Sequence, residues 1–212
     1  MYYNLVRLLI CSVIFVPIVI LIKKKTEIFK KKIYILLLVL FFYILFIAIS
    51  YIPFENSFIN FSSPEAAYFY ANHGTGKIAG VIEGDNSSLI IVSGTSNPFK
   101  LIPKSENGWK IGSQSFPHSI DIVSLGKKRV FIISGKTVED TYIVVEGTVY
   151  QGEDFFSVSD NYESQFFVIS NKTSWYEVFR FATYVENFDD SYSLYIDEEY
   201  VSLTENRFQF LK

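Results

Sequence analysis

The sequence predicts an N-terminal transmembrane helical hairpin followed by a mainly-β, antiparallel, sandwich-like extracytoplasmic domain with one short helix. Three observations carry this. A basic run, Lys23 to Lys32, is wedged between two long apolar segments. Apolar sequence then gives way at Pro53 to polar, acidic sequence. From Lys77 onward, short runs rich in Val, Ile, Phe and Tyr alternate with Gly, Asn and Asp turn residues, the pattern of successive short strands.

The first element is an apolar stretch over residues 1–22, interrupted by Asn4, Arg7 and Pro17. Arg7 lies within two turns of the N-terminus, so its side chain is expected to snorkel to the interface. The alternative is an interhelical or headgroup contact for Arg7, with Pro17 as a kink that neighbouring helices accommodate. A secretory signal peptide carries its positive charge before the apolar run, whereas here the lysines follow it. Cys11 is the single cysteine, which excludes an intramolecular disulfide and suits a small apolar group in the helix interface.

The basic loop, 23–32, holds Lys23, Lys24, Lys25, Lys30, Lys31 and Lys32. No Lys or Arg follows from Ile33 to Gly76. Short Lys-rich loops stay cytoplasmic, so the N-terminus and everything beyond Pro53 are expected outside. The second transmembrane helix is placed at 33–53. Ile33 to Ile52 is 20 residues without a charge, which at about 1.5 Å per residue matches a bilayer core of about 30 Å. Tyr34 and Tyr51 suit the two interfaces, and Pro53 stops the helix.

Residues 54–62 are expected to form a juxtamembrane linker, and 63–212 the outer domain, either continuous or divided into lobes at 63–113 and 117–205. A short helix opens the domain. Ser63 can cap it, Pro64 fits its first position, Glu65 complements the dipole, and Gly74 suits its end. Strands are then expected near 77–83, 88–93, 98–103, 108–112, 118–125, 129–134, 141–149, 154–159, 164–170, 174–187, 191–196 and 199–203. No crossover helices separate them, which favours an antiparallel arrangement. The tail from Arg207 alternates like a strand or frays.

Charge bounds the partners. Residues 55–212 hold 12 of the 19 Lys and Arg but 21 of the 22 Asp and Glu. A net charge near −9 disfavours nucleic acid, whose binding relies on basic residues neutralising phosphates. The expected partners are the lipid bilayer and a membrane or envelope protein.

Chemical motifs are sparse. Two histidines, His73 and His118, stand far apart and read as boundary residues. Gly74-Thr75-Gly76-Lys77 lacks the first glycine and the hydroxyl residue of a phosphate-binding loop. Ser124 and Lys127 have Ser-x-x-Lys spacing but straddle a turn, where that chemistry needs a helix start. Glu186, Asp189, Asp190, Asp197, Glu198 and Glu199 form the densest carboxylate region, without the glycine-turn pattern of a calcium loop; solvated turns are the expectation. Trp109, Trp175 and the tyrosines read mainly as packing residues. No catalytic residue, cofactor or metal ligand is assigned. The expected function is a membrane-anchored protein displaying an extracytoplasmic binding domain, with a membrane-tethered envelope hydrolase or a structural subunit of a membrane complex as alternatives.

Overall fold

The computed structural model describes residues 2–25, 32–50, 53–72, 76–95, 98–112, 118–135, 140–186, 188–201 and 203. Two helices, α1 (Tyr2–Lys25) and α2 (Lys32–Ser50), lie antiparallel. Phe15 packs on Phe41 and Phe42, with ring centroids 6.4 and 4.9 Å away. At the other end Tyr3 donates its hydroxyl to the Ser50 carbonyl at 2.9 Å. Ser12 and Ser50 donate back to the carbonyls four residues earlier, so neither hydroxyl is left unbonded on an apolar helix.

Within α1, Tyr3–Lys23 is long and apolar enough to cross a membrane. The apolar stretch of α2, Tyr34–Ser50, is shorter; α2 is described to Ser50, and Tyr51 and Ile52 lie outside the described residues. Pro17 sits inside α1 without ending it. Lys30 and Lys31 lie outside the described residues, while Lys23, Lys24 and Lys25 close α1 and Lys32 opens α2.

The body is mainly antiparallel sheet. Among the described residues it contains α3 (Pro64–Ala71) and twelve strands: β1 (Lys77–Glu83), β2 (Ser87–Ser93), β3 (Phe99–Ser105), β4 (Gly108–Trp109), β5 (His118–Leu125), β6 (Lys128–Gly135), β7 (Thr141–Tyr150), β8 (Val158–Asp160), β9 (Phe167–Lys172), β10 (Tyr176–Val185), β11 (Leu194–Ile196) and β12 (Glu199–Val201). α3 starts as its sequence dictates, with Pro64 at its first position and Ser63 Oγ accepting from the Ala66 amide. In place of the expected strand at 154–159, β8 starts only at Val158 and runs on to Asp160, and the expected strand 108–112 shortens to β4. Gly74 and the tail beyond Leu203 lie outside the described residues.

Three sheets form, in the orders β1-β2-β3-β4, β5-β6-β7-β10-β9 and β12-β11-β8. They stack in layers. α3 and Trp109 bury Ile90, Val92 and Ile102 on the outer face of the first sheet. Its inner face, Ile82, Leu89, Ile91, Phe99 and Leu101, packs on Phe131, Ile133, Val144, Ile169 and Ala182 of the second. The opposite face of the second, with Val130, Ile132, Ile143, Val145 and Phe181, packs on Leu194, Ile196 and Val201 of the third. β2 and β7 are therefore buried on both faces, and read as continuous apolar runs for that reason. The middle core draws on both 63–113 and 117–205.

One irregularity decides which side chains face inward. β1 carries a bulge between Ile78 and Gly80, so Ile78 packs with the outer cluster while Ile82 reaches the inner one. Without the extra residue the strand would present the wrong face. Gly80 lies so close to β9 that an added Cβ would stand 2.6 Å from Ile169 Cδ1 and 2.9 Å from the Phe167 ring.

Candidate functional site

Three polar clusters stand out against this apolar framework. The first joins helices to domain. Pro53 precedes a 3-10 turn, Phe54–Ser57, which turns Glu55 back toward the helix ends. Arg7 donates from Nη1 to Glu55 Oε1 at 2.5 Å, and both side chains are covered by protein, at 0 and 1 % exposure. The Arg7 guanidinium stacks 4.1 Å above the Tyr3 ring, and Tyr70 of α3 donates its hydroxyl to the same Glu55 oxygen at 3.1 Å. Burial, and then the Glu55 charge, hold the Tyr70 phenol above its ordinary pKa. The snorkelling expected of Arg7 is thus replaced by a protein partner, because a carboxylate 48 residues away arrives at the same end of the hairpin.

The segment expected to be a linker is stitched to the body. Asn56 donates its amide to the Ile111 carbonyl at 2.9 Å and accepts from the Ile111 amide at 2.7 Å. Lys110 donates to the Asn56 and Ile59 carbonyls at 2.6 and 3.0 Å. Phe61 forms a two-way backbone bridge with Trp109. Residues 53–62 are a joint, since the Asn56 and Ile59 carbonyls and both backbone groups of Phe61 are bonded to the domain.

The second cluster closes one end of the middle core. Asp140, 1 % exposed, accepts from the Asn86 amide at 2.9 Å, from Ser87 Oγ at 2.6 Å and from the Tyr184 hydroxyl at 3.4 Å. Ser87 Oγ also meets the Tyr142 hydroxyl at 2.9 Å. The tight β1–β2 turn requires glycine here, because a Cβ on Gly84 would stand 2.6 Å from the Tyr142 oxygen and 2.8 Å from Asp140. Burial, and then the Asp140 and Asp85 charges, push the Tyr184 phenol up to about 12; burial drives Tyr142 upward as well. Both tyrosines stay protonated at physiological pH, and the cluster ties β2 and the β1–β2 turn of the first sheet to β7 and β10 of the second.

The third cluster lies at the opposite end of the same face. Strand register places Arg129 opposite Glu146, and Glu146 opposite Arg180, across β6, β7 and β10. Arg129 is bonded to Glu146 Oε1, and Arg180 reaches Oε2 through Nε at 2.8 Å and Nη2 at 2.6 Å. Two guanidiniums thus share one carboxylate, which leaves one excess positive charge. A groove of about 570 Å³ opens beside them.

The residues singled out by sequence fall elsewhere. Ser124 is the next-to-last residue of β5 and Lys127 sits in the β5–β6 turn beside Gly126, where Lys127 pairs with Glu153 at 2.7 Å. Asp197 and Glu198 form a two-residue hairpin turn with both φ angles positive, 54 and 67°. Asp197 accepts from the Ser157 amide at 2.9 Å and pairs with Lys128; Asp189 accepts from Ser191. Asp189 is thus bonded within its own turn, whereas Asp197 reaches from its hairpin turn to Ser157 and Lys128. Among the described residues no group of three or more His, Cys, Asp or Glu is arranged to hold a metal ion. His73 lies outside the described residues, and His118 begins β5 with its side chain outside them. Trp175 stands 77 % exposed at the β9–β10 turn, whereas Trp109 is buried.

Glu55, Asp140 and the Arg129–Glu146–Arg180 triad are the residues that sequence reasoning missed. A signal existed for the first. Arg7 is the sole charged side chain in 1–22 and Glu55 the sole one in 33–64, so an antiparallel hairpin brings these two together. No protein-family model, no curated protein and no solved structure matches this chain.

Proposed function

We propose that this chain is a two-pass membrane protein that presents its layered β domain on the non-cytoplasmic side as a binding module for an envelope or membrane partner. The observation that carries the reading is the joint. The lysine-free end of an antiparallel apolar helix pair is fastened to the β body by Arg7–Glu55, Asn56–Ile111 and Lys110. A module mounted this way holds a fixed orientation to the bilayer, and the opposite end of the pair carries the lysines that favour the cytoplasm. The side chains of α1 and α2 that face away from one another, such as Leu9, Val13, Leu36 and Val39, are exposed and apolar, which suits lipid. The basic loop placed inside, 23–32, has ten residues, too few for a catalytic output domain.

Cysteine labelling in intact cells tests the topology. In a Cys11→Ala background, Ser174→Cys reacts with a membrane-impermeant maleimide, while Lys23→Cys reacts only after permeabilisation. The reverse pattern overturns the reading. Photo-crosslinking from Trp175 and its neighbours is then expected to capture a stoichiometric envelope partner.

A further inference from the structure

The inner face of the second sheet is wider than its cover. β1 lies over β9, with Gly80 against Phe167 and Ile169, and Phe99 of β3 packs on Phe131 of β6 at 5.1 Å between centroids. The edge strand β5 lies beyond them, and its Ile122 remains 44 % exposed. The result is the groove of about 570 Å³, with Pro98, Ile120, Ile122 and Phe131 as an apolar wall and Arg129 and Arg180 at its end. That volume falls in the range of about 300–1,000 Å³ typical of small-molecule sites.

We propose that this groove binds a small amphiphile bearing one carboxylate, its charge on Arg129 and Arg180 and its apolar body along β5. The donor count supports it. Arg129 reaches Glu146 through Nη2 alone, and Arg180 through Nε and Nη2. Nη1 of each guanidinium and Nε of Arg129 make no hydrogen bond among the described residues. A guanidinium is a planar fork matched to a carboxylate, and Arg129 is 56 % exposed toward solvent. Charge selects the ligand as well. Glu146 is the one acid lining the groove among the described residues, so the site carries one excess positive charge inside a domain near −9. One excess charge suits a monoanion, whereas a phosphate dianion calls for more. The apolar wall excludes a bare hydrophilic anion as the best fit, because burying Ile122 and Ile120 is favourable only against apolar surface.

The inference deepens the reading of the β domain as a binding module, and it is tested without reference to topology. Full-length protein in lipid nanodiscs is dialysed to equilibrium against radiolabelled octanoate, with empty nanodiscs as the blank. N-acetylphenylalaninate is the second probe, which distinguishes an acyl chain from the C-terminus of a peptide. Saturable one-to-one binding of either supports the proposal, and the tighter one names the source. Octanol and acetate, each lacking one half of the ligand, bind at least tenfold more weakly. Arg129→Gln lowers affinity by about tenfold or more, as expected for loss of a charge-assisted bond. Ile122→Glu, at an exposed position that does not threaten folding, lowers it as far by opposing the anion. Equal binding of octanol and octanoate, no saturable binding of either acid, or variants that bind like the parent with unchanged melting would each overturn it. Those results leave the labelling pattern of Ser174→Cys and Lys23→Cys untouched, so the two readings fail separately.

Discussion

Breaking the Arg7–Glu55 pair should loosen the joint far more than deleting it whole. At 2.5 Å and an effective dielectric near 20, two unit charges attract by about 6–7 kcal/mol. Desolvation of both ions offsets much of this, so the intact pair contributes little net stability over an apolar replacement. Removing one partner is different, because the other charge stays covered by protein with its partner gone, which costs about 3–5 kcal/mol. Glu55→Gln and Arg7→Gln are each expected to raise amide hydrogen exchange at Ile59, Phe61, Trp109 and Ile111 by about 150- to 4,000-fold, from the conversion of about 1.4 kcal/mol per factor of ten. Those amides are the right reporters because they close the joint, with Ile59 bonded to the Glu55 carbonyl, Phe61 and Trp109 to each other, and Ile111 to the Asn56 side chain. The double variant Arg7→Met/Glu55→Leu should exchange more slowly than either single variant. Exchange measured by mass spectrometry in nanodiscs decides it. Single variants that change exchange by less than about twofold, with additive effects in the double, would refute the reasoning and show that water reaches the pair.

Three further outcomes are expected. Asp140→Ala strands the Asn86 amide and leaves the Ser87 hydroxyl with Tyr142 alone, so chemical denaturation should show a loss of about 1–3 kcal/mol, and Asp140→Asn a smaller one. Gly80→Val drives a branched side chain into Ile169 and Phe167 and should lower stability by about 1–3 kcal/mol, read as a fall in melting temperature of about 2–12 °C. For Asp197, Lys128 and then the Ser157 amide depress the folded-state pKa. Between its unfolded value and that lower value the native state binds fewer protons, so its stabilisation is full above the unfolded pKa and is lost as pH falls through the folded one. Asp197→Asn, which tolerates the positive φ, should therefore flatten the decline in melting temperature below about pH 4 and leave the slope near neutrality unchanged.

Much of the framework is legible in the chain because it is encoded locally. The apolar span of α1 follows from length and hydropathy. Ser63, Pro64 and Glu65 announce α3 through the needs of a helix start, and Asn, Asp and Gly place the strand breaks because they tolerate turn backbones. Most strands within 77–135 and 141–201 could thus be located from neighbours a few residues away, whereas β8 meets the expected 154–159 only at Val158 and Ser159. What those strands bury could not. β2 and β7 are apolar on both faces because layers lie on each side, and period-2 reading has no access to a layer contributed from elsewhere in the chain. The bulge at Ala79 leaves no mark distinct from an ordinary strand with a glycine, yet it sets which residues of β1 meet the second sheet.

Charges separate the two levels most clearly. Locally, Glu55 is a helix-exit residue and Arg129, Glu146 and Arg180 are polar positions on three different strands. Sequence by itself determined that Arg7 is the one charged side chain in the first apolar segment, that lysines bracket the loop, and that a β-rich acidic domain follows. Only the tertiary structure decided that 54–62 is a joint instead of a linker, that Asp197 reaches Ser157 and Lys128 from its hairpin turn, and that two guanidiniums converge on one carboxylate beside an uncovered strip of β5. The physical reason is range. Turns and caps are settled by bonds within a few residues, whereas ion pairs spanning 17 to 48 residues depend on register and on the order in which strands pair.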